Sequence, residues 1–157
     1  MKSYVTKAEK YEKDWKEYLD HTYTKFLDKI DITKRDIILD TSSGTGLFAK
    51  HLLEQEFKEL VLNDPDDELQ RLSKERFQAN NKIRHTTSTI EDVESINNYF
   101  TKILSLNAWH RYEDKDKAVQ KMKTILKPDG EIHILDWNRE GLFKFIHPFI
   151  SLYERKT

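Results

Sequence analysis

Residues 38–46 read Ile38-Leu39-Asp40-Thr41-Ser42-Ser43-Gly44-Thr45-Gly46. The run from Asp36 to Asp40 is short, apolar and β-branched, the pattern of a strand buried on both faces. Gly44 and Gly46 follow as a tight turn, and Leu47, Phe48, Leu52 and Leu53 then recur at helical spacing. Glycines in such a turn let the backbone approach a ligand, and the helix beyond offers N–H groups and a positive dipole end. Taken alone, this strand–turn–helix suits either a nucleotide site or a plain βα connection.

The flanking sequence repeats the theme. Leu60-Val61-Leu62 predicts a second strand ending at Asn63-Asp64-Pro65, with Asp66 and Asp67 in the first turn of a helix reaching about Phe77. Ile83 to Thr87 predicts a third strand and Lys102 to Leu106 a fourth. A helix over Ala118 to Leu126 closes at Lys127-Pro128-Asp129-Gly130, and Glu131 to Asp136 predicts a fifth strand. Strand and helix alternate five times, which implies an α/β fold with a mainly parallel central sheet. Upstream, residues 5–30 place Tyr11, Trp15, Tyr18, Leu19, Tyr23, Phe26, Leu27 and Ile30 at steps of three and four, one amphipathic helix or two short ones. Downstream, Leu142, Phe145, Ile146, Phe149, Ile150 and Tyr153 keep helical spacing despite Pro148. The expected organisation is one domain over 1–157: a helical cap (1–34), a core (35–140) and an apolar C-terminal helix (141–157).

Composition narrows the classes of function. The 157 residues include 27 basic and 28 acidic side chains, a net charge of −1 that gives no general attraction to nucleic acid or anionic lipid. Absence of cysteine removes disulfides, thiolate nucleophiles and Cys-ligated metals. The 8 Phe, 7 Tyr and 3 Trp supply enough large apolar side chains to argue against disorder. No apolar run approaches the roughly 18 residues of a membrane span, and Met1-Lys2-Ser3-Tyr4 opens no signal peptide. The expectation is a soluble, cytoplasmic protein.

In parallel sheets, ligands sit beyond the carboxyl ends of the strands. Asp40, Asp64 and Asp136 each end an apolar strand, and Asn107 follows another. Asp64 lies 18 residues after Gly46, where a carboxylate can accept hydrogen bonds from both hydroxyls of a ribose. No Gly-Lys-Ser/Thr follows the glycine turn, which disfavours a phosphate-binding loop.

These residues together resemble the class I S-adenosylmethionine-dependent methyltransferases, of the small-molecule type related to quinone biosynthesis. Ile38-Leu39-Asp40 with Gly44-Thr45-Gly46 is similar to the first motif, Asn63-Asp64-Pro65 to the acidic ribose motif, and Thr89-Ile90-Glu91-Asp92 to the adenine segment. Leu104 to His110 is similar to the loop after the fourth strand, and Leu126-Lys127-Pro128-Asp129-Gly130 with Ile134-Leu135-Asp136-Trp137 to the fifth-strand signature. The resemblance spans about residues 35–140. It implies a three-layer Rossmann-like sandwich, here a minimal one with five strands and no C-terminal hairpin. It implies S-adenosylmethionine as cofactor and S-adenosylhomocysteine as product, with methyl transfer to O, N or C of a small or medium-sized acceptor. Asp40, Thr41, Ser42, Gly44 and Gly46 would shape the methionine pocket, Asp64 and Pro65 the ribose site, Thr89 and Ile90 the adenine site. Leu106 and Asn107 would complete the cofactor site.

Three positions depart from the family pattern: Ser42 stands at the first glycine, Thr89 at an aspartate facing adenine, and Thr101 at an aspartate before the fourth strand. The loop after that strand lacks the prolines of base and glutamine methylases, and no metal-ligand cluster assembles. His110, three residues past Asn107, has the side chain suited to a general base, or else packs against or caps the next helix. Trp109, Trp137 and Tyr11 would wall an acceptor pocket, or simply pack. His133, inside the fifth strand, reads as structural. No nucleic-acid partner is expected, and the apolar tail could pair two copies as a homodimer. The rival reading is a non-catalytic subunit that keeps the fold to bind or activate a partner.

Overall fold

The computed structural model describes residues 2–136. The C-terminal helix expected over 141–157, the tail-mediated homodimer and Trp137 lie outside these residues.

In chain order the elements are α1 (Lys2–Leu27), β1 (Ile37–Asp40), α2 (Leu47–Leu52), β2 (Glu59–Asn63), α3 (Asp67–Phe77), β3 (Ile83–Thr86), β4 (Phe100–Leu106), a 3-10 turn (Trp109–Arg111), α4 (Lys115–Ile125) and β5 (Leu126–Leu135). The strands form one sheet in the order β3-β2-β1-β4-β5, every pair parallel. β1 therefore sits at the centre, and the chain reverses its direction of travel across the sheet between β1 and β4. The carboxyl ends of those two strands border the crevice that such a reversal creates.

The three inner strands β2, β1 and β4 are largely hydrophobic in both registers because helices cover both faces, whereas edge strand β3 buries only Ile83. Ile38, Leu60, Leu62, Leu104 and Leu106 pack with Leu19, Phe26, Phe48, Leu52 and Phe77. The alternate residues Ile37, Leu39, Val61 and Ile103 pack with Ile90, Val93, Ala118, Met122 and Ile125. Side chains alternate across a strand, so one continuous apolar run serves both layers. Each such side chain contributes roughly 1.5–3 kcal/mol when fully buried, which is what fixes the register against a one-residue slip.

The N-terminal segment is one helix, not two. Its second half buries Leu19, Tyr23 and Phe26 on the sheet. Its first half is anchored differently: the Glu12 carboxylate accepts from the Arg76 guanidinium on α3 (3.0 Å) and from the Thr45 hydroxyl in the glycine turn. Asp66 caps α3 by accepting from the Glu68 and Leu69 N–H groups, as the acidic first turn suggested.

β5 departs from the expected boundary. It begins at Leu126, directly after α4, because Leu126 pairs with Phe100 before the register shifts and Glu131 pairs with Lys102. Five steps on β5 oppose two on β4, so Lys127-Pro128-Asp129 bulges outward, where proline's missing N–H does no harm. Among the described residues no helix is long and apolar enough to cross a membrane.

Candidate functional site

The turn between β1 and α2 is held from three sides. The Ser43 N–H donates to the Asn63 carbonyl at 2.9 Å, and the Gly44 N–H donates to Asp64 Oδ2 at 2.9 Å. Ser42, at the family's first glycine position, turns its hydroxyl toward β4. Its Oγ donates to the Leu106 carbonyl (3.2 Å) and accepts from the Leu106 N–H (3.0 Å). The hydroxyl thus clips the turn to the end of β4. Thr41 is also spent on the sheet: its Oγ1 donates to the Leu104 carbonyl and lies 2.6 Å from the Tyr112 hydroxyl.

The two turn glycines differ. Both have positive φ, 52° at Gly44 and 80° at Gly46. A Cβ on Gly46 would stand 2.4 Å from Phe77, whereas one on Gly44 would meet nothing within 4 Å. Gly46 is needed for packing against α3. Gly44 presents bare backbone to open space.

Two carboxylates hold the turn. Asp40 is fully buried and accepts from the Ser42 N–H at 3.0 Å. Burial first, and the Asp64 charge after it, push the Asp40 carboxyl up to about 7. Asp64 accepts from the Gly44 and Asp66 N–H groups, one on each oxygen. Burial raises it too, while those two donors and the Arg111 charge act the other way. A carboxylate has about four acceptor sites, so Asp64 keeps capacity for donors beyond the two backbone groups. Pro65 beside it is exposed.

α1 closes the crevice from above. Tyr23 is buried, and desolvation holds its hydroxyl well above the ordinary phenol range; the neutral hydroxyl accepts from the Asn107 side-chain amide nitrogen. Asn107 adopts a left-handed φ of 55°, and its N–H donates to the Leu135 carbonyl at 2.7 Å. Its buried Oδ1 has no partner among the described residues, an acceptor waiting for a donor. Tyr11, 45% exposed, and Trp15, 38% exposed, lie ring to ring farther out on α1.

The 3-10 turn after β4 brings in two residues to which the sequence reading assigned no role. Asp136, at the end of β5, accepts from the His110 backbone N–H at 2.6 Å and lies 2.7 Å from His110 Nδ1. Arg111 bears electrostatically on Asp64. Asp136 had a sequence signal, as an acid ending an apolar strand; Arg111 had none. Trp109 packs on Tyr112 (ring centroids 5.2 Å apart) and on the α4-side core. In the loop after β3, the Thr89 hydroxyl donates to Asp92 and Ile90 is buried under α4. Thr101, the third departure, donates to Asp36 Oδ1 at the opposite end of the sheet. His133 is buried on β5 beside Glu131, as its structural reading anticipated.

Comparison with known proteins is consistent with this arrangement. A family described as "Methyltransferase domain" matches residues 39–134. The ubiquinone/menaquinone biosynthesis C-methyltransferase UbiE of Cupriavidus metallidurans is 27% identical over 125 residues, 76% of this chain and 50% of that protein. The chain spans about half the length of the curated relatives it matches. Among solved structures, a SAM dependent methyltransferase from Aquifex aeolicus superposes with a TM-score of 0.70 at 18% identity, covering 78% of this chain and 67% of the other. The YcgJ protein from Bacillus subtilis gives 0.70 at 22% identity, covering 75% and 51%. With its parallel sheet, its glycine turn beside two strand-end acids and a match over more than half its length, the chain belongs to the methyltransferase domain family, with the class I S-adenosylmethionine-dependent fold.

Proposed function

We propose that the chain binds S-adenosylmethionine and transfers its methyl group to O, N or C of a small or medium-sized acceptor. The observation that carries this reading is the bare Gly44 backbone, flanked by the desolvated carboxylates of Asp40 and Asp64 at the sheet's reversal point. Desolvated acids and the unpartnered Asn107 Oδ1 suit a ligand that brings positive charge and N–H or O–H donors. The relatives' name, C-methyltransferase, keeps carbon among the acceptor atoms.

In this reading the turn 40–46 and Asn107 hold the methionine end, with Ser42 acting through its clip to Leu106 rather than as a contact. Asp64 takes the ribose hydroxyls beside Pro65. Thr89 and Ile90 border the adenine, with the Thr89 hydroxyl already engaged by Asp92. The bound cofactor supplies an electrophilic methyl group on a sulfonium. The chain's own contribution is alignment: holding an acceptor in line with that group replaces a bimolecular encounter with an oriented one. His110 faces the acceptor and receives its proton where one must leave, with Trp109 on the same loop and Tyr11 on α1 as walls of the acceptor pocket.

Calorimetry with S-adenosylmethionine and S-adenosylhomocysteine tests the reading. Micromolar binding to the parent protein and a loss of at least tenfold in Asp64→Ala is the expected result; a folded parent that binds neither returns the chain to the partner-binding subunit. Gly44→Ala sharpens the test. The left-handed φ costs an alanine about 1–2 kcal/mol, and no atom lies in the way of its methyl. The variant is expected to fold with a slightly lower melting temperature, yet to bind the cofactor at least tenfold more weakly. Unchanged affinity would place the ligand elsewhere.

A further inference from the structure

We infer that Ser42 is a positioning residue: its hydroxyl sets the peptide group between Leu106 and Asn107, and so aims the Asn107 amide oxygen at the ammonium end of the cofactor. The inference rests on the methyltransferase reading above and concerns how the methionine end is held.

Main-chain pairing between β1 and β4 runs up to Asp40 and Leu104, and the Thr41 N–H adds a bond to the Leu104 carbonyl at 2.9 Å. At Leu106 a side chain takes over. A hydroxyl has one hydrogen to give and two lone pairs, and Ser42 Oγ spends both functions on one residue. It accepts the Leu106 N–H at 3.0 Å and donates to the Leu106 carbonyl at 3.2 Å. The Ser42 N–H meanwhile donates to Asp40. A glycine, the family's residue at this position, has no hydroxyl to offer.

The consequence falls on the next residue. The Leu106 carbonyl and the Asn107 N–H belong to one planar peptide group. Ser42 holds that plane from the β1 side, and the Leu135 carbonyl on β5 holds it from the other by accepting the Asn107 N–H at 2.7 Å. Tethered at both edges, the plane delivers Asn107 at a φ of 55°, a conformation an L residue keeps where its surroundings impose it. From there the Asn107 amide nitrogen donates to the Tyr23 hydroxyl, and Oδ1 stays buried with no partner among the described residues. Such an oxygen favours a ligand N–H, and a protonated amine gives the stronger, charge-assisted bond. Without the Ser42 hydroxyl the plane is tethered on one side only, and a ligand must order the oxygen at its own expense.

Calorimetry at pH 8 with S-adenosylhomocysteine tests this, because that product keeps the ammonium and lacks the sulfonium charge. Ser42→Ala removes the hydroxyl and keeps the N–H to Asp40. Ser42→Gly restores the family residue, and Asn107→Gly removes the amide without straining the left-handed backbone. Each variant is expected to bind at least about tenfold more weakly than the parent, the loss of one hydrogen bond to a charged group. The double variant Ser42→Ala/Asn107→Gly is expected within about threefold of Asn107→Gly alone, because the hydroxyl acts through the amide. A hydroxyl that merely shaped the turn would cost affinity in both backgrounds. Additive losses, or unchanged or tighter binding by a folded Ser42→Ala, overturn the inference and leave the methyltransferase reading standing. Amide exchange in the ligand-free parent decides the matter even where the Ser42 variants do not fold. The Leu106 and Asn107 N–H groups should exchange at least about a hundredfold more slowly than in an unstructured peptide; fast exchange at Leu106 overturns the inference. A folded parent that binds neither S-adenosylmethionine nor S-adenosylhomocysteine overturns the methyltransferase reading first, and this inference with it.

Discussion

Gly46→Ala is expected to destabilise the fold by about 2–5 kcal/mol, from left-handed strain plus core overpacking. Two costs add. The residue sits at φ 80°, and any Cβ there stands 2.4 Å from a Phe77 ring carbon and 2.9 Å from the Ser73 hydroxyl oxygen. Phe77 cannot step aside cheaply: it is buried in the same cluster as Phe48 and Leu52. Ser73 is buried too and bonds His85 on the next strand. Such a loss is a large share of the 5–15 kcal/mol that holds a typical domain. Urea unfolding of the parent, Gly46→Ala and Gly44→Ala checks it. The midpoint should drop steeply for position 46 and slightly for position 44, at equal slope. A penalty at 46 no larger than at 44 would mean that α3 can retreat from the turn, against the packing described here.

The contrast between these glycines shows what the sequence carries and what it withholds. Both read as turn residues, because a strand pattern stops before them and a helix pattern starts after them. Which of them faces a neighbour depends on where α3 docks, and that is a tertiary fact. Ser42 makes the same point. As a departure from a glycine it reads as an intrusion into the cofactor loop, yet its hydroxyl closes on Leu106, 64 residues away. The inner strands β1, β2 and β4 were legible because burial on both faces leaves a run of apolar residues that no helix period explains, a signal that β3, Ile83-Arg84-His85-Thr86, does not carry. The start of β5 was not, since Pro128 and Gly130 look like a stop, and only pairing with Phe100 carries the strand upstream through a bulge. Asp64 was legible as a strand-end acid at a fixed distance from the turn. Asp136 had the same signature, but its tie to His110 depends on how the turn after β4 folds back.

Asp40→Asn is expected to make the protein more stable and a poorer binder at once, in a way that depends on pH. The Asp40 carboxyl titrates near 7 in the folded chain, against about 3.9 when exposed in the unfolded one. A raised carboxyl means that the folded state holds the proton more tightly. Folding is therefore most favourable in this respect below pH 4, loses stability as pH rises from about 4 to about 7, and levels off above. Three units at 1.36 kcal/mol each set the span at about 4 kcal/mol. An asparagine keeps an oxygen for the Ser42 N–H but has no charge to bury. It should match the parent at pH 4 and exceed it by roughly 2–4 kcal/mol at pH 8. Binding runs the other way. A cationic ligand beside Asp40 favours the ionised carboxylate, so the parent's affinity for S-adenosylmethionine should rise from pH 5.5 to 7.5 with release of a proton. The variant should bind at least tenfold more weakly at pH 7.5 and lose most of that pH dependence. Thermal melts at pH 4 and 8, with calorimetry in two buffers of different ionisation enthalpy, measure both halves. If Asp40→Asn gains no stability at pH 8, the carboxylate is already neutralised within the fold, and the cost of burying it is not being held in reserve for a ligand.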